Sequence, residues 1–192
     1  MKNLRIVGLT RFSVDPRSII NRQKRTINKR YLKELIYEFI YRPKADHRSP
    51  SELSNILYDK DRLSSRIKLF KSFPLASMAH LASVNNSVSY KVFYSSLIPP
   101  EIVSRLHQIT AAYSSWCECI SVKPSESFFE ACNQSIRQYK GSNVFTFRLD
   151  DDDALGSSYV KYILETLTFG NGKDIYSMPL GYAIARLGLD HY

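Results

Sequence analysis

Four consecutive carboxylates, Asp150-Asp151-Asp152-Asp153, close the short run Asn143-Val144-Phe145-Thr146-Phe147-Arg148-Leu149, in which apolar and polar residues alternate. Like charges side by side repel one another and resist desolvation, so a fold that gathers them at a strand end must compensate them. A hard divalent cation is one economical compensation, because magnesium and its relatives take carboxylate oxygens. Side chains on a strand alternate with a period of two, so a strand ending in Asp-x-Asp turns its first and third carboxylates to the same side. On that pattern Asp150 and Asp152 reach one ion together. The same run would also serve as a solvated acidic turn, or as a cap on the helix that follows.

Other catalytic constellations are missing. Gly8 stands alone after the first apolar run, and neither GxGxxG nor GxxxxGK[ST] occurs, which weighs against a dinucleotide or P-loop site. There is no GxSxG elbow and no HExxH pair, and His47, His80, His107 and His191 are scattered without ligand spacing. A carboxylate-bound ion in an α/β sheet without a phosphate loop typically bridges the phosphates of a nucleotide and takes up leaving-group charge. Thr10 and Arg11, at the end of the first apolar run, would face the same sheet edge and meet a base or a diphosphate. A strand-end turn with an exposed Arg explains them equally well.

The elements that would carry these residues are legible in outline. Leu4 to Phe12 reads as a buried strand. Ile19 to Tyr41 has helical spacing (Ile27, Tyr31, Leu35, Phe39) with Arg and Lys between, and Arg42 to Ser51 reads as a polar loop. Asp59 to Ser83 predicts helix, with the stripe Leu63, Ile67 and Phe70 broken at Pro74. Ser89 to Leu97 predicts a strand, Glu101 to Tyr113 a helix opened by Pro99-Pro100, and Cys117 to Val122 a further strand. Glu126 to Tyr139 predicts a helix with Ser125 as N-cap, ended by Gly141. A helix from Ser157 or Ser158 to about Thr168 follows the aspartates, and Asp174 to Tyr182 reads as a strand. Strands alternating with helices imply a mainly parallel sheet covered on both faces, with ligands outside the carboxyl ends of the strands. The aspartates stand at one such end.

Composition sets the bounds. The 192 residues suit a single α/β domain, 44% hydrophobic and 23% charged. The net charge of +9 is uneven: Arg17 to Arg48 holds ten Lys or Arg against three Asp or Glu, a local +7. The chain therefore reads as a near-neutral domain with a basic helical insertion at about 17–50, not as a nucleic-acid binder. That segment could be a solvated helix face or a contact with an anionic membrane surface. Cys117, Cys119 and Cys132 are odd in number and lack zinc spacing, which fits a reducing, cytoplasmic setting. Met1 to Val7 shows no apolar leader, and no run is long enough to cross a bilayer, so any membrane association is expected to be peripheral to the inner face.

The segment Arg148 to Leu155, Arg-Leu-Asp-Asp-Asp-Asp-Ala-Leu, resembles the DxD segment of GT-A glycosyltransferases and is particularly similar to that of a bacterial rhamnosyltransferase family. Thr10-Arg11-Phe12 matches the end of that family's first strand. Arg66-Ile67-Lys68-Leu69-Phe70 with Phe73 to Met78 resembles its Arg-x-x-Leu-Phe and Pro-Ser-Leu helix, Tyr90 to Pro99 its next strand, and Pro179-Leu180-Gly181-Tyr182 its Gly-Tyr strand. The resemblance covers nearly the whole chain. It implies a GT-A-like, Rossmann-like fold and transfer of a sugar, rhamnose among the candidates, from a UDP-, dTDP- or GDP-linked donor to a glycan or lipid-linked glycan in surface polysaccharide assembly. It further implies magnesium or manganese held by Asp150, Asp152 and Asp153, with Asp150 also near the donor ribose and Thr10 and Arg11 toward the nucleotide.

Two departures follow. Asp151 stands where the family has an uncharged residue or Asn. The family's chain also continues into a segment with acceptor contacts and, in inverting enzymes, the general base; no such base is visible here, and Asp190 is not assigned that role. A donor-binding half, a truncated product and a natural short form all fit. Two other readings remain beside the transferase: a catalytically incomplete nucleotide- or glycan-binding module, and a polyanion-binding protein that uses the basic helix.

Overall fold

A computed structural model describes residues 4–14, 50–159, 161–162 and 165. The basic segment from Arg17 to Arg48, with the helix expected over Ile19–Tyr41, lies outside the described residues, as does the strand expected over Asp174–Tyr182.

The fold is α/β. Four strands, β1 (Leu4–Phe12), β2 (Val88–Ser95), β3 (Cys117–Val122) and β4 (Asn143–Arg148), form one all-parallel sheet in the order β3-β2-β1-β4. The chain builds outward from β1 through β2 to β3, then crosses back to set β4 on the other side of β1. The carboxyl ends of β1 and β4 therefore flank the point where strand order reverses, the crevice in which open α/β sheets bind ligands. Register is continuous across it: Leu4 pairs with Asn143 and Leu9 with Arg148.

Helices cover both faces. Between β1 and β2 lie α1 (Pro50–Leu57), α2 (Lys60–Phe70) and α3 (Ala76–Val84); α4 (Pro100–Thr110) precedes β3 and α5 (Phe128–Arg137) precedes β4. On one face Ile6, Phe12, Tyr90 and Tyr94 pack against Leu63, Ile67 and Phe70 of α2, Met78 and Leu81 of α3, and Ile102 and Leu106 of α4. On the other, Phe93 and Val122 meet Phe128 and Cys132 of α5, with the Phe93 and Phe128 rings edge to face at 5.4 Å. Period two along β2 explains the division, since Val92 and Phe93 serve opposite layers. Gly8 is small because it must be: a Cβ there would stand 3.0 Å from Tyr90 and 3.1 Å from Met78 and Phe147.

Several expected boundaries move. Pro74 does not break the helix between Asp59 and Ser83. It sits within a π-turn, Lys71–Leu75, that joins α2 to α3, where the wider i→i+5 spacing accommodates the missing N–H. The loop expected to run to Ser51 ends earlier, because Pro50 opens α1. The cap of α5 is Ser127, whose hydroxyl accepts from the Glu130 N–H, not Ser125. Gly141 ends the turn after α5 at φ +91°, a conformation glycine enters without steric cost.

Candidate functional site

The acidic run begins where β4 stops. The ladder with β1 extends one step past Arg148, the Leu149 N–H donating to the Leu9 carbonyl at 3.0 Å, and the Leu149 side chain is buried. Thr10 then fixes the departure point: its hydroxyl donates to the Leu149 carbonyl at 2.5 Å and accepts from the Tyr90 hydroxyl at 2.7 Å. Beyond Leu149 the backbone turns, with the Asp153 N–H on the Asp150 carbonyl at 3.2 Å.

This turn changes the expected roles of the aspartates. The alternation that would pair Asp150 with Asp152 requires a strand, and the strand has already ended. Asp151 instead points inward and is 2% exposed. Arg66 of α2 holds it with two parallel hydrogen bonds, Nε to Oδ2 at 2.6 Å and Nη2 to Oδ1. Such a fork fixes position as well as charge. Asp152 stays half exposed, its carboxylate 3.8 Å from the same guanidinium. Asp150 pairs with exposed Arg148 at 3.2 Å. Asp153 is exposed and does not line the cavity that the others share.

That cavity, about 380 Å3, opens outside the carboxyl ends of β1 and β4 and is lined by Arg11, Ser13, Val14, Arg62, Arg66, Asp150, Asp151 and Asp152. The spacing of α2 explains why two arginines enter it. Leu63, Ile67 and Phe70 are buried, so Arg62 and Arg66, one turn apart beside that stripe, share the face toward the strand ends. Asp151's hydrogen bonds raise the Arg66 pKa against the opposing effect of burial. Arg62 moves the other way, lowered by burial and then by the charge of Arg66. Both remain cations near neutral pH.

Thr10 and Arg11 separate. Adjacent strand residues face opposite layers, and Thr10 is fully buried with its hydroxyl committed to Leu149 and Tyr90, so it cannot meet a base or a diphosphate. Its part is to hold the aspartate turn in place. Arg11 does line the cavity. Arg62 and Ser13 were not foreseen in the sequence, and Arg66 entered only through the resemblance. The one available signal was the i, i+4 spacing of the two arginines beside the apolar stripe.

Among the described residues no three His, Cys, Asp or Glu side chains are grouped to hold a metal ion. The cysteines are no candidates: burial pushes the Cys117 thiol up to about 12 and Cys132 to about 11. Among the described residues no helix is long and apolar enough to cross a membrane.

Comparison with known proteins decides the family. A family model described as "Putative rhamnosyl transferase" matches residues 5–169, which includes both strand ends of the crevice, α2 and the aspartate turn. The chain belongs to this family. No curated protein and no solved structure matches it. Membership supports a glycosyltransferase role, and with it a sugar donor and an acceptor as partners.

Proposed function

We propose that the protein transfers a sugar, rhamnose being the one its family's description names, from a nucleotide-linked donor to a glycan or lipid-linked glycan acceptor. The observation that carries the reading is the convergence of Arg11, Arg62, Arg66 and the aspartate turn on one cavity at the switch point of a parallel sheet. Cavities of a few hundred Å3 with a few convergent polar groups suit small ligands. Here the cations suit the phosphates, and the carboxylates suit sugar hydroxyls or a cation that accompanies the phosphates.

The donor set for a magnesium or manganese ion is partial. Asp150 and Asp152 are hard oxygen ligands facing the cavity, while Asp151 is committed to Arg66 and Asp153 lies outside it. Two carboxylates fit an ion whose remaining ligands are substrate phosphates and water, the usual habit of magnesium. Such an ion would neutralise charge on the departing diphosphate. The protein's own contribution is to seat the diphosphate against α2 and to hold the turn rigid through Arg66 and Thr10. Activity at an anionic membrane face, where lipid-linked glycans are assembled, extends the reading to the basic segment from Arg17 to Arg48.

Incubation of the full chain with UDP-, dTDP- or GDP-linked sugars, manganese and a glycan acceptor tests the reading by release of nucleoside diphosphate. Turnover with one donor class is expected, and Asp152→Asn should lower it at least about tenfold, the usual scale for loss of one charged contact in a transition state. No turnover with any of the three donor classes would overturn it.

A further inference from the structure

The charges of the cavity do not balance pair by pair. Arg66 is matched by Asp151, and Asp150 is matched outside by Arg148. Among the described residues neither Arg11 nor Arg62 has a carboxylate within ion-pair distance, although the charges of Asp151 and Asp59 reach Arg62 from farther off. Arg62 is nevertheless firmly placed. One nitrogen, Nη1, donates to the Leu57 carbonyl at the end of α1 at 2.8 Å and to the Ser13 hydroxyl at 3.3 Å. A guanidinium has five N–H groups. The two on Nη1 are used in anchoring, and among the described residues Nε and Nη2 make no hydrogen bond, which leaves a planar three-donor edge for something else. No buried side-chain nitrogen or oxygen among the described residues is without a partner, so that edge is reached by solvent.

Ser13 supplies a second, independent observation. It is buried and holds φ at +50°, the left-handed region that a residue with a side chain enters at a cost. Backbone strain of this kind persists where its surroundings demand it, and it clusters at ligand sites. Here the bend turns the Ser13 hydroxyl against Arg62 at the mouth of the crevice.

We propose that Arg62, anchored by Ser13 and Leu57 and joined by Arg11, is a phosphate clamp that binds a diphosphate group by direct hydrogen bonds and does so without a divalent cation. Planar guanidinium forks match phosphate oxygens, which lysine does not reproduce. The clamp and the aspartate turn line the same cavity. Two cations lining one cavity also suit a ligand with two linked phosphates better than one with a single phosphate. The inference rests on the donor-binding reading for its biological ligand, although the clamp itself is tested without any sugar.

The experiment is calorimetric titration of the full chain with inorganic pyrophosphate at low salt in excess EDTA, with orthophosphate as a second arm. Wild type should bind pyrophosphate at least tenfold more tightly than orthophosphate. Arg62→Gln should weaken pyrophosphate binding tenfold or more, and Arg62→Lys should recover only part of that loss. Ser13→Gly removes the hydroxyl while suiting the backbone, so it should weaken binding several-fold with the urea midpoint unchanged or raised. Arg105→Gln, at an exposed position of α4, should bind as wild type.

UDP, dTDP or GDP should displace the bound pyrophosphate, and phosphatidylglycerol vesicles should not. The clamp is overturned if wild type fails to bind pyrophosphate in EDTA, if Arg62→Gln and Ser13→Gly both bind as wild type, or if vesicles are the competitor. Failure of the clamp with sugar turnover intact leaves the transferase standing. Cation-free pyrophosphate binding without turnover of any donor leaves the clamp standing and removes the transferase.

Discussion

Among the described residues two clefts beside the same sheet invite comparison, and the larger of the two is the poorer candidate. The groove between β3 and α5 encloses about 710 Å3, against about 380 Å3 for the crevice at the ends of β1 and β4. Its lining is Ser, Gln and Glu, with Ile120 and Ala131 as floor. Two of its carboxylates are satisfied nearby: Glu118 takes the buried Lys91 ammonium at 2.6 Å, and Glu126 accepts the Lys123 N–H at 3.0 Å. The smaller cleft differs in kind. It draws from β1, α2 and the turn after β4, it gathers charges of both signs, and it leaves one guanidinium edge unspent. Convergence of several elements on one charged point, not volume, separates a site from a furrow in the surface.

The comparison can be tested to destruction. Asp151→Ala should have the largest effect, because it leaves Arg66 half-buried without its counterion; a loss of about 3 kcal/mol is expected in urea unfolding, together with loss of diphosphate binding. A midpoint unchanged from wild type would mean that the crevice is not held together by this pair. Gly8→Val comes next. The new side chain would press on Tyr90, Met78 and Phe147 beneath the crevice, so overpacking of about 1–3 kcal/mol should appear in the same measurement.

Thr10→Val keeps the shape and removes the hydroxyl that carries Leu149 and Tyr90, at a cost of about 1–2 kcal/mol. Donor binding should weaken in step with the loosened turn, and Thr10→Ser should restore both. If Thr10→Val lowered donor affinity with no change in stability, Thr10 would be a ligand contact after all.

The pH dependence sharpens the other side of the sheet. Cys132 of α5 packs in the core on that side and Cys117 in the core of the opposite face, and burial raises both thiols. A raised thiol pKa means the folded state holds its proton where the unfolded state has lost it. Stability should therefore fall as pH climbs from about 8.5, the unfolded value, toward about 12 for Cys117 and about 11 for Cys132. Labelling at pH 8 by a thiol reagent should be correspondingly slow, and rapid labelling of folded protein would contradict the packing. Last and smallest, Glu130→Gln in the large groove should change stability by less than about 0.5 kcal/mol and leave diphosphate binding untouched.

Much of the fold was legible because its strands are dense in β-branched and aromatic residues: Leu4–Phe12 and Cys117–Val122 occupy the predicted limits. The helix limits drifted where a local rule met tertiary context. Pro74 signalled a break, yet the chain absorbs it in a π-turn because Leu75 and Met78 continue the apolar stripe set by Phe70. The site was half legible. Four aspartates at a strand end announced a charged feature, but the period-two rule that pairs Asp150 with Asp152 was carried up to four residues past the end of β4, and it gave no sign that the fold buries Asp151 between them. Its partner Arg66 is 85 residues away. No window along the sequence can display such a pair, and only the strand order β3-β2-β1-β4 brings it together.

That order also sets a timetable. Of the four described strands β1 comes first in the chain and is one of the two central ones, with β4 the last of the four to join it. Thr10 and the carbonyl it holds are 139 residues apart. At about 5–20 residues per second, a ribosome would release them roughly 7–28 s apart. Throughout that interval one edge of β1 lacks its neighbour, and Arg66, once made, lacks its counterion. The nascent chain thus exposes an edge of β1, the kind of surface other chains pair with, until β4 emerges and covers it. Completing the binding crevice and covering β1 are one late event in biosynthesis, so a ribosome that stalls before Asn143 would leave a chain both unable to bind at the crevice and prone to pair with others through β1.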